Sequence, residues 1–239
     1  MVWDWKGWLQ MVGRDRSGGL TEDDFDAARE AMVREQLEAR GIASSRVLSA
    51  VSRVPRHKFV PRGQESYAYE DRPLPIGDGQ TISQPYMVAV MTECLSLRGP
   101  ETVLELGTGS GYQAAVLAEM GVEVFTVERH RQLSDTARQR LGALGYRRVH
   151  FRVGDGSAGW PEKAPFDRIL VTAGMPEIPG ILLDQLADGG RLVAPVGSRS
   201  FQELTVVERS GSETKRWKSG GCTFVPLVGQ YGWEAGEDE

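Results

Sequence analysis

The stretch Thr102-Val103-Leu104-Glu105-Leu106-Gly107-Thr108-Gly109-Ser110-Gly111 decides the fold. A short apolar run ends in three glycines at alternate positions, and a helix is expected to follow through Leu117. A strand, a glycine-rich turn and a helix open an α/β sheet, and the turn lies where such sheets place their ligands. Further on, Val122 to Val127 predicts a second strand, Leu133, Ala137, Leu141 and Leu144 a helix, and Val149 to Val153 a third strand. Asp167 to Thr172 predicts a fourth strand, then a helix over Ile181, Leu182, Leu183 and Leu186 that Gly189-Gly190 ends before a fifth strand at Leu192 to Val196. This rhythm specifies a doubly wound, mostly parallel α/β sheet. Beyond it, Leu204 to Glu208 and Cys222 to Leu227, separated by a polar turn at Ser210-Gly211-Ser212, predict an antiparallel β-rich edge, and Glu234 to Glu239 reads as an acidic, frayed end.

Toward the amino terminus the texture is helical, then irregular. Trp5, Trp8, Leu9 and Val12 have helical spacing, and Gly13 to Gly19 reads as a connector, so residues 1–20 form an arm that suits packing or association better than membrane anchoring. Thr21, with Asp24 three residues on, is a candidate N-cap for a helix carrying Phe25, Ala28, Met32 and Leu37 and stopping at Gly41. A shorter helix around Val47, Leu48 and Val51 ends before Pro55. Residues 55 to 82, rich in Pro, Gly and aromatics, show no period, and a long irregular stretch in a compact domain is usually functional. Pro85 then opens a helix containing Met87, Val88, Met91, Cys94 and Leu95.

Bulk properties narrow the function classes. At 239 residues and 40% hydrophobic content, the chain suits one domain with modest additions. A net charge of −5 argues against nucleic acid as a partner, since phosphate binding needs a clustered excess of Lys and Arg. Cys94 and Cys222 are too far apart to suggest a metal ligand pair or a disulfide framework, which fits a reducing cytoplasm. No apolar run approaches membrane-spanning length, and the amino terminus lacks the basic start and cleavage site of a signal peptide.

Three strand ends carry groups suited to an adenosine cofactor. A dinucleotide fingerprint would place a third glycine at position 112; the residue is Tyr112, and the G-x-G-x-G spacing of Gly107, Gly109 and Gly111 is that of S-adenosylmethionine enzymes. Glu128, 21 residues past Gly107, closes the second strand, where a carboxylate can accept the ribose hydroxyls. Asp155, within Gly154-Asp155-Gly156 after the third strand, can receive the adenine amino group. Each alone has a bland reading, a tight turn or an exposed strand-end charge, but the three in succession favour a cofactor site.

The chain resembles the bacterial protein-L-isoaspartate O-methyltransferases from about Met32 to Leu227. The resemblance rests on Val54-Pro-Arg-His-Lys-Phe-Val-Pro61, Gly79-Gln-Thr-Ile-Ser-Gln-Pro85, Leu104 to Gln113, Gly154-Asp-Gly156, Ala164-Pro-Phe-Asp167 and Phe224-Val-Pro-Leu227. It implies a methyltransferase domain over 21–239, with a helical substrate-side segment (21–100), a cofactor-binding core (101–197) and a β-rich C-terminal segment (198–239). It implies methyl transfer from S-adenosyl-L-methionine to the α-carboxylate of L-isoaspartyl residues in damaged proteins and peptides, after which the ester collapses to a succinimide. It further implies that Ser83 is the functional serine and that Thr81, Ile82, Ser83, Gly107, Thr108, Gly109, Gly111, Glu128, Asp155 and Gly156 contact the cofactor, with no metal. A monomer is expected rather than an obligate oligomer.

The reaction fits the residues available. A carboxylate with a pKa of roughly 3.5 needs no general base, and none stands out. Ser83 then positions the acceptor; its bland reading is an N-cap before Pro85, and a helix start there would also favour a carboxylate. His57 reads as a surface or hinge residue, and His130 as flanking the adenosine. Competing readings are a relative that methylates a normal aspartate in a precursor peptide, a nicotinamide oxidoreductase disfavoured by Tyr112, and a non-catalytic binding module.

Overall fold

A computed structural model describes residues 20–234. The tryptophan-bearing arm up to Gly19 and the acidic end past Glu234 lie outside the described residues.

Alternation along the strands builds the centre of the molecule. Val103 and Leu104, Val193 and Leu192, and Val206 and Val207 are buried in pairs, one member of each in either of two apolar clusters on opposite faces of a sheet. The strands are β3 (Thr102–Leu106), β4 (Glu123–Glu128), β5 (Val149–Val153), β6 (Phe166–Val171), β7 (Leu186–Gly197), β8 (Gln202–Ser210) and β9 (Glu213–Cys222). Their order is β5-β4-β3-β6-β7-β8-β9, parallel from β5 to β7 and antiparallel from β7 to β9. The chain reverses its direction of winding between β3 and β6, which is the switch point where open sheets bind ligands.

Helices cover both faces. α1 (Glu22–Met32) starts with the expected capping box, Thr21 and Asp24 each bonding the other's backbone N–H. The helical path widens into a π-helix over Val33–Leu37 and then tightens into a 3-10 turn over Glu38–Arg40 before Gly41 closes it in the left-handed conformation at φ +95°. α2 (Ser45–Arg53), α3 (Pro85–Leu95), α4 (Tyr112–Glu119), α5 (Arg131–Ala143) and the short α6 (Gly180–Asp184) follow.

Four expectations need correction. The irregular stretch contains a small hairpin, β1 (Leu74–Gly77) and β2 (Gln80–Ile82), joined by a turn with left-handed Gly77, Asp78 and Gly79; its strands are too short to show a period. Gly189-Gly190 does not end a helix: α6 stops at Asp184, and the glycines lie inside β7 where its register with β6 shifts. The last strand is β9, over 213–222, and Phe224 to Leu227 instead crosses the sheet end, with Gly174 bridging Pro226. His57 is 4% exposed, stacked on Phe25 at 4.0 Å and bonded to the Tyr69 hydroxyl at 2.8 Å, because Phe25 of α1 closes over it.

Candidate active site

A cavity of about 450 Å³ opens at the carboxyl ends of the central strands, within the size range of small-molecule sites. Thr81, Ile82, Ser83, Gly107, Thr108, Gly109, Glu128 and Gly156 all line it. The hairpin and the start of α3 form one wall, the glycine loop the floor, and Val225 to Val228 the opposite wall.

The glycine loop is fixed from several sides. Gly107 has φ +105°, and a Cβ there would stand 2.5 Å from Thr172 Oγ1. Thr172, at the end of β6, donates its hydroxyl to the carbonyls of Leu106 and Gly107 at 2.9 and 2.7 Å, tying the switch point together. Arg140 of α5 donates to the Ser110 carbonyl at 2.7 Å. Gly111 lies outside the cavity lining; at φ +85° it starts α4, and a Cβ would meet Ala137 and Leu141 at 3.1 Å, so its bareness lets α5 pack closely.

Glu128 is 6% exposed and accepts the Gly109 N–H and the His130 N–H, each at 2.9 Å. Each oxygen keeps a further lone pair for a ligand hydroxyl. His130 lines the cavity beside it. Beneath the loop, Thr108 and Thr126 share a 2.6 Å hydrogen bond, and Thr126 donates to Glu105 at 2.6 Å. Burial pushes the Glu105 carboxyl up to about 8, against the Thr126 bond and with the Glu128 charge adding to the shift. Glu105 is therefore mostly protonated at neutral pH.

Asp155 sits just behind the cavity lining, and the chain itself uses it. Its Oδ1 accepts the Ser157 amide and hydroxyl at 2.8 and 2.6 Å, and its Oδ2 accepts the Gln230 amide at 2.7 Å. Burial raises its pKa, but the bonds from Ser157 and Gln230, with Arg129 nearby, outweigh that and hold it below the usual carboxylate value. These contacts latch the loop Leu227 to Trp233 over the site, with the Tyr231 amide also bound to the Ser157 hydroxyl at 3.0 Å. Sequence reasoning missed this strap and Arg199, which also lines the cavity, because neither lies in a periodic segment.

Ser83 is not the helix cap. Gln84 holds that position without a side-chain cap bond, so the half-buried Ser83 hydroxyl, which makes no hydrogen bond among the described residues, is left for a ligand at the cavity wall. Tyr112 and Gln113 bring further polarity: the Gln113 amide nitrogen donates to Thr92 at 2.9 Å, and its buried oxygen has no partner.

A glycine loop at the switch point, a strand-end carboxylate and a strap over the cavity define a nucleoside-cofactor-binding α/β enzyme of the methyltransferase class. The profile of the protein-L-isoaspartate(D-aspartate) O-methyltransferase family matches residues 27–232, and the chain belongs to that family. A Syntrophobacter fumaroxidans protein named protein-L-isoaspartate O-methyltransferase 1 is 57% identical over 211 residues, 88% of this chain and 99% of its own. A Dictyoglomus thermophilum protein-L-isoaspartate O-methyltransferase is 52% identical over 211 residues, covering 88% of this chain and 96% of its own. Among solved structures, a protein-L-isoaspartate O-methyltransferase superposes with a TM-score of 0.78 at 32% identity, over 85% of this chain and 67% of that one. A Plasmodium falciparum β-aspartate methyltransferase, solved with S-adenosyl-L-homocysteine, gives 0.72 at 25% identity over 84% of this chain and 98% of that one.

Proposed function

We propose that the cavity holds S-adenosyl-L-methionine and an L-isoaspartyl residue of a damaged protein together, and that the enzyme methylates the isoaspartyl α-carboxylate. The observation that carries this reading is the free Ser83 hydroxyl facing the same cavity as Gly107, Gly109 and Glu128.

The chain's residues fit the cofactor. Glu128 would accept the ribose hydroxyls, the bare backbone at Gly107 and Gly109 would admit the amino-acid portion, and Gly156 would lie under the adenine. Asp155 has three acceptor sites filled by the chain, which leaves one of about four for the adenine amino group. When bound, S-adenosylmethionine supplies an electrophilic methyl on a sulfonium centre. Ser83 and the backbone beside it orient the carboxylate, and Thr81 and Ile82 continue that wall. Opposite charges cancel as the methyl moves, so the protein gains most by alignment and water exclusion, which the strap and hairpin provide.

The unpaired thiols of Cys94 and Cys222 support a cytoplasmic setting, and no helix among the described residues is long and apolar enough to cross a membrane. We read the enzyme as acting on isoaspartyl proteins and peptides as a monomer. Ser83→Ala tests the site directly: turnover on an isoaspartyl peptide is expected to fall about 100-fold, the size of a lost alignment, while the Kd of S-adenosylhomocysteine stays within about threefold. Equal losses in both would contradict the assignment of Ser83 to the acceptor.

A further inference from the structure

We infer that the open edge of β5 is a docking surface for an acidic, extended segment of the protein whose isoaspartyl residue is methylated. The inference rests on the function proposed above.

β5 ends the sheet and pairs with β4 alone. The Arg148 carbonyl accepts the Val124 N–H, and the Gly154 N–H donates to the Glu128 carbonyl, so residues 148, 150, 152 and 154 turn their backbone groups toward β4. Val149, Phe151 and Val153 then direct theirs outward, as a row with which a further strand can pair. One of them, the Phe151 carbonyl, takes the Arg138 side chain at 3.4 Å, a long bond that an incoming N–H can replace.

This edge borders a groove of about 440 Å³ between α5 and the segment from Trp160 to Lys163. Arg138, Arg147 and Lys163 line it together with Tyr146, Phe151 and Trp160, and no Asp or Glu among the described residues does. Arg147 and Lys163 make no hydrogen bond or ion pair among the described residues. Glu162 and Glu123, on neighbouring segments, are taken up by Arg152 and His150 at 2.9 and 2.8 Å. A groove of cations without a carboxylate is the reverse of the chain as a whole, whose net charge is −5. Charges on an edge strand serve to keep a second copy from pairing there. The same charges attract a strand of opposite sign, whose apolar side chains the three rings can cover.

Position ties the edge to the cavity. β5 ends at Val153, and Gly156, three residues on, lines the cavity. A segment docked on β5 therefore lies beside the site, and main-chain pairing suits a substrate defined by one altered residue in otherwise unrelated sequences. Tethering raises the effective concentration of the isoaspartyl residue at the cavity, which lowers KM and leaves kcat unchanged.

The test compares a short isoaspartyl peptide with the same peptide joined to a Glu-Val or a Lys-Val repeat through a Gly-Ser spacer of roughly 10 residues, ~17 Å in mean span. With wild-type enzyme the Glu-Val tail is expected to lower KM about tenfold at constant kcat, and the Lys-Val tail to change it less than about twofold. The double variant Arg147→Glu, Lys163→Glu should favour the Lys-Val tail instead, a reversal that misfolding cannot produce. Val149→Pro removes an outward N–H and spares the β4 ladder, so it should abolish the gain while the KM of the short peptide stays within about twofold of wild type. A labelled Glu-Val peptide without isoaspartate should itself bind the enzyme, and more weakly at high salt. No gain from the Glu-Val tail in wild type, no binding of the labelled peptide, or a gain that survives either variant would overturn the inference. No transfer by wild type to the short peptide would instead overturn the proposed function, and the labelled peptide would still test the edge.

Discussion

Glu105 is the residue with the clearest consequence for stability. It is fully buried and paired across the ladder with Thr126, which links it through Thr108 to the cavity floor. Its folded pKa of about 8 lies above the ordinary value of 4.5. Between those values the folded chain keeps a proton that the unfolded chain has released, so stability falls as pH rises through the window and levels off above it. Thermal melts from pH 5 to 8.5 should therefore show Tm dropping by roughly 5 °C or more in wild type relative to Glu105→Gln, which has no proton to lose there; parallel curves would refute the shift. Glu128→Gln should weaken S-adenosylhomocysteine binding about 10- to 100-fold by calorimetry, because the carboxylate braces the Gly109 amide as well as facing the cavity. The glycine loop and Glu128 were legible in the sequence because strand ends are where an α/β sheet must place such groups. His57 was not, since its burial depends on Phe25 and Tyr69, distant in the chain.

Among the elements, the strap from Leu227 to Trp233 ties the carboxy-terminal segment to the end of β5 through Asp155 and Ser157. Gly229 permits this closeness: a Cβ there would stand 1.9 Å from Asp155 Oδ1. Gly229→Ala is thus expected to unlatch the strap, weakening S-adenosylhomocysteine binding about tenfold, as loss of charge-assisted hydrogen bonds would. Limited proteolysis should show faster cleavage after Tyr231, and unchanged cleavage would count against the latch. The βα rhythm from Thr102 to Val196 could be read because each element buries a face and so carries a period. The hairpin at 74–82 and the strap could not, being held by turns, backbone bonds and the Asp155 carboxylate. The C-terminal strands were shifted because β9 is exposed along nearly its whole length and carries little apolar pattern, whereas Phe224 to Leu227 is apolar yet only bridges the sheet end.

At the scale of the whole molecule, two apolar clusters clamp a seven-stranded sheet whose switch point gathers around one cavity residues from the ends of β3, β4 and β6, from the hairpin and from the loop after β7. Ligand at 100 times its Kd should stabilise the fold by about 2.7 kcal/mol, raising Tm by roughly 5 to 10 °C for a chain of this size. The expectations for the site came from two sources, the geometry of strand ends for the cofactor residues and the motif Thr81 to Pro85 with its family resemblance for the acceptor, and most of these residues line one cavity. The acceptor is therefore the part that most needs a direct measurement. The purified enzyme should be given methyl-labelled S-adenosylmethionine with an isoaspartyl peptide and its normal aspartyl twin. Label is expected on the isoaspartyl peptide alone, as a base-labile ester; equal labelling of both, or of the aspartyl peptide alone, would contradict the proposed function.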